Sequence, residues 1–287
     1  MTYNTLLVKY ENSWQLRSYQ FPIKSDLDNE LDKYDVFESN KSDSFEKTEK
    51  EIDLAFTEVD TKYHFEGHSA YVSVNRSKNK IFYYARSNDW SSGYFVTLTI
   101  NPIICDSFDY KSSVNLIRKF LNYLRNYDSS IYALIVPELH ESGRFHFHGL
   151  ISGNIKDLLK YSGYTIKGHM IYNFVRGWKY GFSNVTKVNN TLAVEKYICK
   201  YTTKELLNSS LYQHRYFTLN LHEADMVKLN LFDHEELYKE LLFNGLVEFC
   251  NTDGLYNRCT YCEIKNSDKV LQIIKKYVYN TDRLLNC

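Results

Sequence analysis

"SIYALIVPELHESGRFHFHGLIS", residues 130–152, decides the fold. It reads as two strands, 130–139 and 144–152, joined by His140-Glu141-Ser142-Gly143, a short polar loop ending in glycine. In a strand, residues i and i+2 point to the same face, so His146 and His148 stand side by side, roughly 7 Å apart along the backbone. Phe145 and Phe147 point the other way. Antiparallel pairing brings Glu138, eight residues before His146, opposite the histidine strand. Two imidazoles and a carboxylate make a mixed nitrogen and oxygen donor set suited to Mg²⁺, Mn²⁺ or another divalent ion. His140 alternates in phase with Glu138 and competes as third ligand. Two alternating histidines are also compatible with an ordinary strand surface.

The flanking elements extend the pattern outward. "YFVTLTI" (94–100) is a strand stopped by Asn101-Pro102. "KSSVNLIRKFLNYLRNY" (111–127) places Val114, Ile117, Leu121 and Leu124 at helical spacing. The sequence predicts a short helix over 154–163, a strand over 181–188, and a helix over 190–207 capped by Asn190. The order β-α-β-β-α-β-α is that of an α+β fold with an antiparallel ferredoxin-like or RRM-like sheet. Its helices lie on one face, and the histidine strand is central with its imidazoles on the open face.

Upstream, residues 3–10 and 14–22 read as a hairpin turning at Glu11-Asn12-Ser13. Residues 69–90 begin strand-like and turn from Asn75 into a basic helix with Ile81, Tyr84 and Ala85 on one face. The tail from 208 is mixed. The expected division is an N-terminal hairpin with an acidic segment (1–68), a central domain (69–220) and a C-terminal extension (221–287).

Net charge is zero over 287 residues, but charge is unevenly placed. Residues 26–60 hold thirteen Asp/Glu against four Lys, net −9; residues 110–204 hold fourteen Lys/Arg against five Asp/Glu, net +9. The basic stretch contains the histidine pair, and screening makes the local field the one an anionic partner feels. The acidic segment reads as a mobile loop or insertion. No apolar run reaches about 18 residues and the N-terminus carries no leader pattern, so no membrane partner is expected. The six cysteines form no framework and suit a reducing, intracellular compartment. Cys259 and Cys262, a lone CxxC with Cys250 nearby, read as free thiols, since zinc needs four ligands. No GxxxxGK loop occurs, so the chain holds no nucleotide-driven motor.

"EKYICKYTTK" (195–204) places Tyr197 and Tyr201 at i, i+4 and Lys200 at i+3, all on one helical face. A phenol beside a cation and a metal-bound phosphate becomes a better nucleophile. The same tyrosines are equally compatible with packing on the sheet.

"FVTLTINP", then Glu138 and "GRFHFHGLI", then "GWKYGFSNV", then "YICKYTTK" follow one another in order. This series resembles the HUH endonuclease superfamily, and within it the rolling-circle replication initiators of small bacteriophages and plasmids, over about residues 70–220. The resemblance implies that His146, His148 and Glu138 hold a divalent Mg or Mn ion. It implies that Tyr197 is the nucleophile, Lys200 the lysine of the YxxK motif, and Tyr201 the second tyrosine of two-tyrosine initiators. The implied activity is nicking of single-stranded or melted origin DNA through a 5′-phosphotyrosine, leaving a 3′-OH that primes synthesis. The implied partners are origin DNA and a separate host helicase and DNA polymerase, in the cytoplasm of a bacterial host.

Arg76, Lys78, Lys80, Arg86 and Arg144 are the expected phosphate contacts, and Tyr84 an expected base contact. Tyr83, Trp90, Trp178 and Tyr180 are further aromatic candidates. Two rivals stand beside this reading: a transposase or relaxase with the same chemistry, and a non-catalytic RRM-like binding module displaying Phe145 and Phe147. A histidine-triad hydrolase is excluded by Leu150, where a third alternating histidine would stand.

Overall fold

A computed structural model describes residues 2–24, 68–191, 193, 195, 197–198, 215–229, 234–253 and 259–277. The acidic segment 26–60 lies outside them. The chain divides into two compact units, Met1–Ser44 with Glu223–Cys287, and Phe45–His222.

The first unit is built from both chain ends. Strands β1 (Thr2–Lys9) and β2 (Ser13–Lys24) form the expected hairpin, closed by the Tyr10 N–H on the Ser13 carbonyl. Three late strands join them: β10 (Asp225–Leu229), β11 (Val247–Asp253) and β12 (Cys259–Lys265). The sheet order is β10-β1-β2-β12-β11. Helices α3 (His234–Phe243) and α4 (Asp268–Tyr277) supply Leu237, Leu241, Val270, Ile273 and Ile274 to a core shared with Leu7, Trp14, Leu16 and Ile264. The spacing 270, 273, 274 gives α4 one apolar stripe, so it forms a stable helix only against this sheet. Cys250 and Cys262 are directly opposed across the β11–β12 ladder, with sulfurs 3.3 Å apart.

The second unit carries the histidine strand. Helix α1 (His68–Arg86) precedes β3 (Tyr94–Thr99), α2 (Tyr110–Tyr127), β4 (Tyr132–Leu139) and β5 (Phe145–Ser152). After a single 3-10 turn at Lys156–Leu158 come β6 (Leu159–Ile166), β7 (His169–Phe174), β8 (Ser183–Lys187) and β9 (Phe217–Leu219). The sheet is antiparallel with order β6-β7-β8-β3-β5-β4-β9. The run β8-β3-β5-β4 keeps the strand arrangement of a ferredoxin-like sheet, and the class is α+β as expected.

Helix α2 lies over one face. Its Val114, Ile117, Leu121 and Leu124 are buried with Val96 and Leu98 of β3, Ala133 and Ile135 of β4, and Phe145 and Phe147 of β5. Its start is fixed by Asp109, whose carboxylate accepts from the Ser112 N–H at 2.9 Å.

Three expectations are corrected. Residues 154–163 are not a helix, and the chain runs on as the β6–β7 hairpin. Tyr161, Tyr164, Thr165, Ile166 and Ile171 favour strand. Gly168 (φ 80°) and Lys167 (φ 48°) make the tight turn, and Gly163 (φ 86°) takes up a shift of register between Tyr161 and Thr165. Residues 68–74 are helical from His68 rather than strand-like. The histidine face is covered along part of its length, because Leu134, Val136 and Leu150 are fully buried on it while belonging to no cluster with α2. Helix α1 packs against β4, with Ile81 and Ala85 buried at i, i+4.

Candidate active site

The site grows from the register of three strands. His148 is paired with Thr97 of β3 on one side and Val136 of β4 on the other; His146 is paired with Thr99 and Glu138. Since strand faces alternate, Thr97, Thr99, His146, His148 and Glu138 share the face away from α2.

Contacts knit this group together. Glu138 Oε2 is hydrogen-bonded to His148 Nε2, and Thr97 Oγ1 lies 3.1 Å from His148 Nδ1. Both ring nitrogens of His148 are thus engaged. With the proton on Nε2 donated to Glu138, Nδ1 accepts from the Thr97 hydroxyl. With the proton on Nδ1, the hydroxyl accepts instead, because it can play either role. His146 stacks on His140, with centroids 4.8 Å apart and planes 17° off parallel. His140 Nδ1 is taken up in its own turn by the Ser142 N–H at 3.2 Å and lies 3.0 Å from the Ser142 hydroxyl.

Electrostatics bias two of these groups, Glu138 and His146, in opposite charge senses. Burial opposes a charge on Glu138. The hydrogen bond from His148 and the nearby His148, His146 and His140 outweigh it and hold the carboxyl below its usual range. Burial, followed by the neighbouring His140, lowers the pKa of His146 and favours the neutral imidazole. An anionic carboxylate and a neutral imidazole are the forms that ligate a cation. By donor chemistry the set therefore fits a divalent ion. Among the described residues no three His, Cys, Asp or Glu side chains stand in coordinating arrangement, and Glu138 is hydrogen-bonded to His148. A cation would take the place of that hydrogen bond.

The tyrosine segment meets the same face. Thr191, Ala193, Glu195, Tyr197 and Ile198 are helical, and Asn190 Oδ1 accepts from the Ala193 N–H at 3.1 Å as the expected cap. Ile198 is fully buried while Tyr197 is 45% exposed. The Tyr197 ring meets Phe95 edge-on at 5.2 Å, and Phe95 stacks on His148 at 6.0 Å. Phe95 is a spacer between the phenol and the imidazole. Lys200 and Tyr201 lie outside the described residues.

The expected nucleic-acid contacts divide. Arg144 is exposed and its guanidinium lies over the Phe108 ring at 5.6 Å, next to the histidine strand. Lys80 lies over the half-buried Tyr84 ring at 5.9 Å, and Arg86 over Phe82 at 5.3 Å. Lys78 is buried, so it cannot meet phosphate as expected; its position on the inner side of α1 takes the ammonium out of solvent. The side chain of Arg76 lies outside the described residues. Trp90, Trp178 and Tyr83 are buried core residues rather than base platforms, and Tyr180 is half-buried against Trp178. Phe145 and Phe147 are buried under α2, so the RRM-like reading loses the aromatics it needs.

Sequence reasoning missed Thr97 and Phe95. Both sit in the "FVTLT" alternation, and their phase opposite the histidines was the available signal.

Residues 93–206 match the family model described as replication-associated protein, of the ORF2 and gene 2 protein type. The match covers β3 through the tyrosine segment, which is less than half of the chain. It supports a role in DNA replication. No curated protein and no solved structure matches the chain. Among the described residues no helix is long and apolar enough to cross a membrane.

Proposed function

We propose that this chain, similar over its histidine sheet to replication-associated proteins, initiates replication by nicking one DNA strand through Tyr197, in the manner of an HUH endonuclease. The observation that supports the reading is the series Tyr197–Phe95–His148–Glu138 on one sheet face, in which one aromatic ring separates an exposed phenol from the His148–Glu138 pair.

His146, His148 and Glu138 would hold a divalent Mg or Mn ion. Such an ion, when bound, polarises the scissile phosphate and offsets the charge that develops on it. The Tyr197 oxygen attacks phosphorus, forming the tyrosine O–P bond as the P–O3′ bond breaks. The phenol gives up its proton and the departing 3′ oxygen gains one. The products are a 5′-phosphotyrosine and a free 3′-OH able to prime a polymerase. The phosphodiester energy is kept in the covalent link for rejoining. Ile198, the residue after Tyr197, is fully buried, which holds the backbone that carries the attacking oxygen. Lys200, by helical spacing, would hold phosphate or favour the phenolate. Tyr201 would serve a second transfer. The partners in this reading are origin DNA and a separate helicase and polymerase.

The test incubates the protein with labelled single-stranded origin DNA and Mn²⁺ and looks for an adduct that survives denaturation. Tyr197→Phe is expected to abolish the adduct, or to leave only one that vanishes in the Tyr197→Phe/Tyr201→Phe double variant. An undiminished adduct in the double variant would sink the assignment.

A further inference from the structure

We propose that the β6–β7 hairpin is a duplex-binding ribbon that enters the major groove beside the nicking site. The proposal rests on the reading above only in taking DNA as the ligand.

Between Leu158 and Val194 the sequence holds five Lys/Arg and no Asp or Glu. Lys160, Lys167, Arg176, Lys179 and Lys187 are all exposed. None of the salt bridges among the described residues involves them. Lys160 and Lys167 lie on the ribbon and its turn, Arg176 and Lys179 follow it, and Lys187 ends β8 next to it; with acidic residues only at the margins of this stretch, Asp157 and Glu195, these exposed cations form a surface complementary to a polyanion.

The ribbon's shape favours duplex over single strand. Every residue from Gly163 to Met170 is exposed, so the tip stands clear of the sheet on both faces. Tyr161 pairs with Tyr172 and Thr165 with Met170, which puts Tyr161 and Thr165 on one face, and the register shift between them interrupts the alternation at Tyr164. The two exposed tyrosines are three residues apart across that shift, not at the i, i+2 spacing that lines successive bases along one strand face. A two-stranded ribbon with side chains outward on both faces is a shape the major groove admits. At the tip, Tyr164 is 72% and Ile166 54% exposed, an uneconomical use of apolar surface unless something covers it. In the groove, thymine methyls offer such contact.

Placement sets the reach. Three strand spacings (β7 to β8, β8 to β3, β3 to β5) separate β7 from the histidine strand, about 14 Å, or roughly four nucleotide steps. The ribbon thus contacts DNA flanking the cleaved phosphate, not the phosphate itself.

The experiment measures binding of the full chain, without metal, to a duplex of three helical turns and to its single strand, between about 50 and 200 mM salt. In Lys160→Ala/Lys167→Ala/Lys187→Ala, the slope of log K against log salt on duplex is expected to fall by about 2 to 3, near 0.9 per lost phosphate contact. Tyr164→Ala is expected to weaken duplex binding severalfold without changing that slope. Single-strand binding and adduct formation on single-stranded origin stay within twofold of the parent. An unchanged duplex slope overturns the proposal, as does an equal loss on single strand, which would make the ribbon a single-strand surface. Should the triple variant fail to fold, Lys167→Glu in the exposed turn carries the same test with a slope change near 1. If the parent forms no adduct yet duplex binding drops as described, the nicking reading fails and the ribbon stands.

Discussion

At the scale of single residues, the site turns on how His148 is held. Thr97 lies at its Nδ1 and Glu138 at its Nε2, so the ring's orientation is fixed from two strands. For His148 to ligate through Nε2, the proton must sit on Nδ1, and Thr97 is the group that receives it. Partners of this kind are worth roughly 10–100-fold in metal affinity or activity. Thr97→Val should therefore raise the Mn²⁺ concentration for half-maximal adduct formation by about that factor, while Thr97→Ser restores it. An unchanged Mn²⁺ requirement in Thr97→Val would leave Thr97 no positioning role. The histidines and Glu138 were legible because a period of two across one short hairpin fixes their common face. Thr97 was not, since threonine is common in strands for packing reasons and its partner lies about fifty residues away along the chain. Lys78 was misread because a basic helix shows its charges in sequence but not which of its faces is turned inward.

At the scale of elements, β5 is positioned by contact with β4, and the contact is tight at one point. A Cβ on Gly149 would lie 2.7 Å from the Leu134 carbonyl oxygen and 2.9 Å from Ile135 Cγ1. The first of these is backbone, so the strands must separate. Gly149→Ala is expected to destabilise the fold by about 1–3 kcal/mol, the range for overpacking a well-filled interior, as read by denaturant midpoint. It should also reduce adduct formation, because His148 is the preceding residue on the displaced strand. A midpoint equal to the parent's would show that the sheet absorbs the group.

The same scale explains the misread hairpin. Asn154 to Leu159 offers a helical start, and the sequence gives no local sign that it stops after one 3-10 turn. The strand-favouring residues and glycines that decide the matter come later, from Tyr161 to Gly168.

A second element contact reports on pH. Glu240 of α3 accepts from Lys276 Nζ and from the Tyr277 hydroxyl of α4, and these bonds hold its carboxyl below the ordinary value of 4.5. The folded state then binds fewer protons than the unfolded state near that pH. This contribution is complete above the ordinary value and is lost as pH falls through the lowered one. Glu240→Gln should narrow the stability difference between neutral pH and pH near 4, measured as the shift in urea midpoint. Because Glu240 is only partly buried and its partner Lys276 is exposed, the effect is small and weakens with salt.

At the scale of the whole molecule, the two chain ends build one sheet. β2 lies between β1 and β12, and β10 reaches the sheet only through β1. The hairpin 2–24 was legible from its alternation and turn. Its neighbours were not, since pairing across more than two hundred residues leaves no mark in local periodicity. The charge pattern follows the second unit instead: the net +9 stretch from 110 to 204 coincides with the histidine sheet, its ribbon and the tyrosine segment. The proposed DNA contacts lie in that unit, while the chain-end sheet has its own core of Leu7, Trp14, Leu16 and the stripe of α4, from which separate cooperative unfolding is expected. Removing residues 1–24 takes out two central strands and leaves β10 without a neighbour. In hydrogen exchange, amides of α4 and β12 should then lose protection, while those of α2, whose partners all come from residues 94–219, keep theirs. Loss of protection in both helices together would mean that the chain unfolds as a single cooperative block rather than as two.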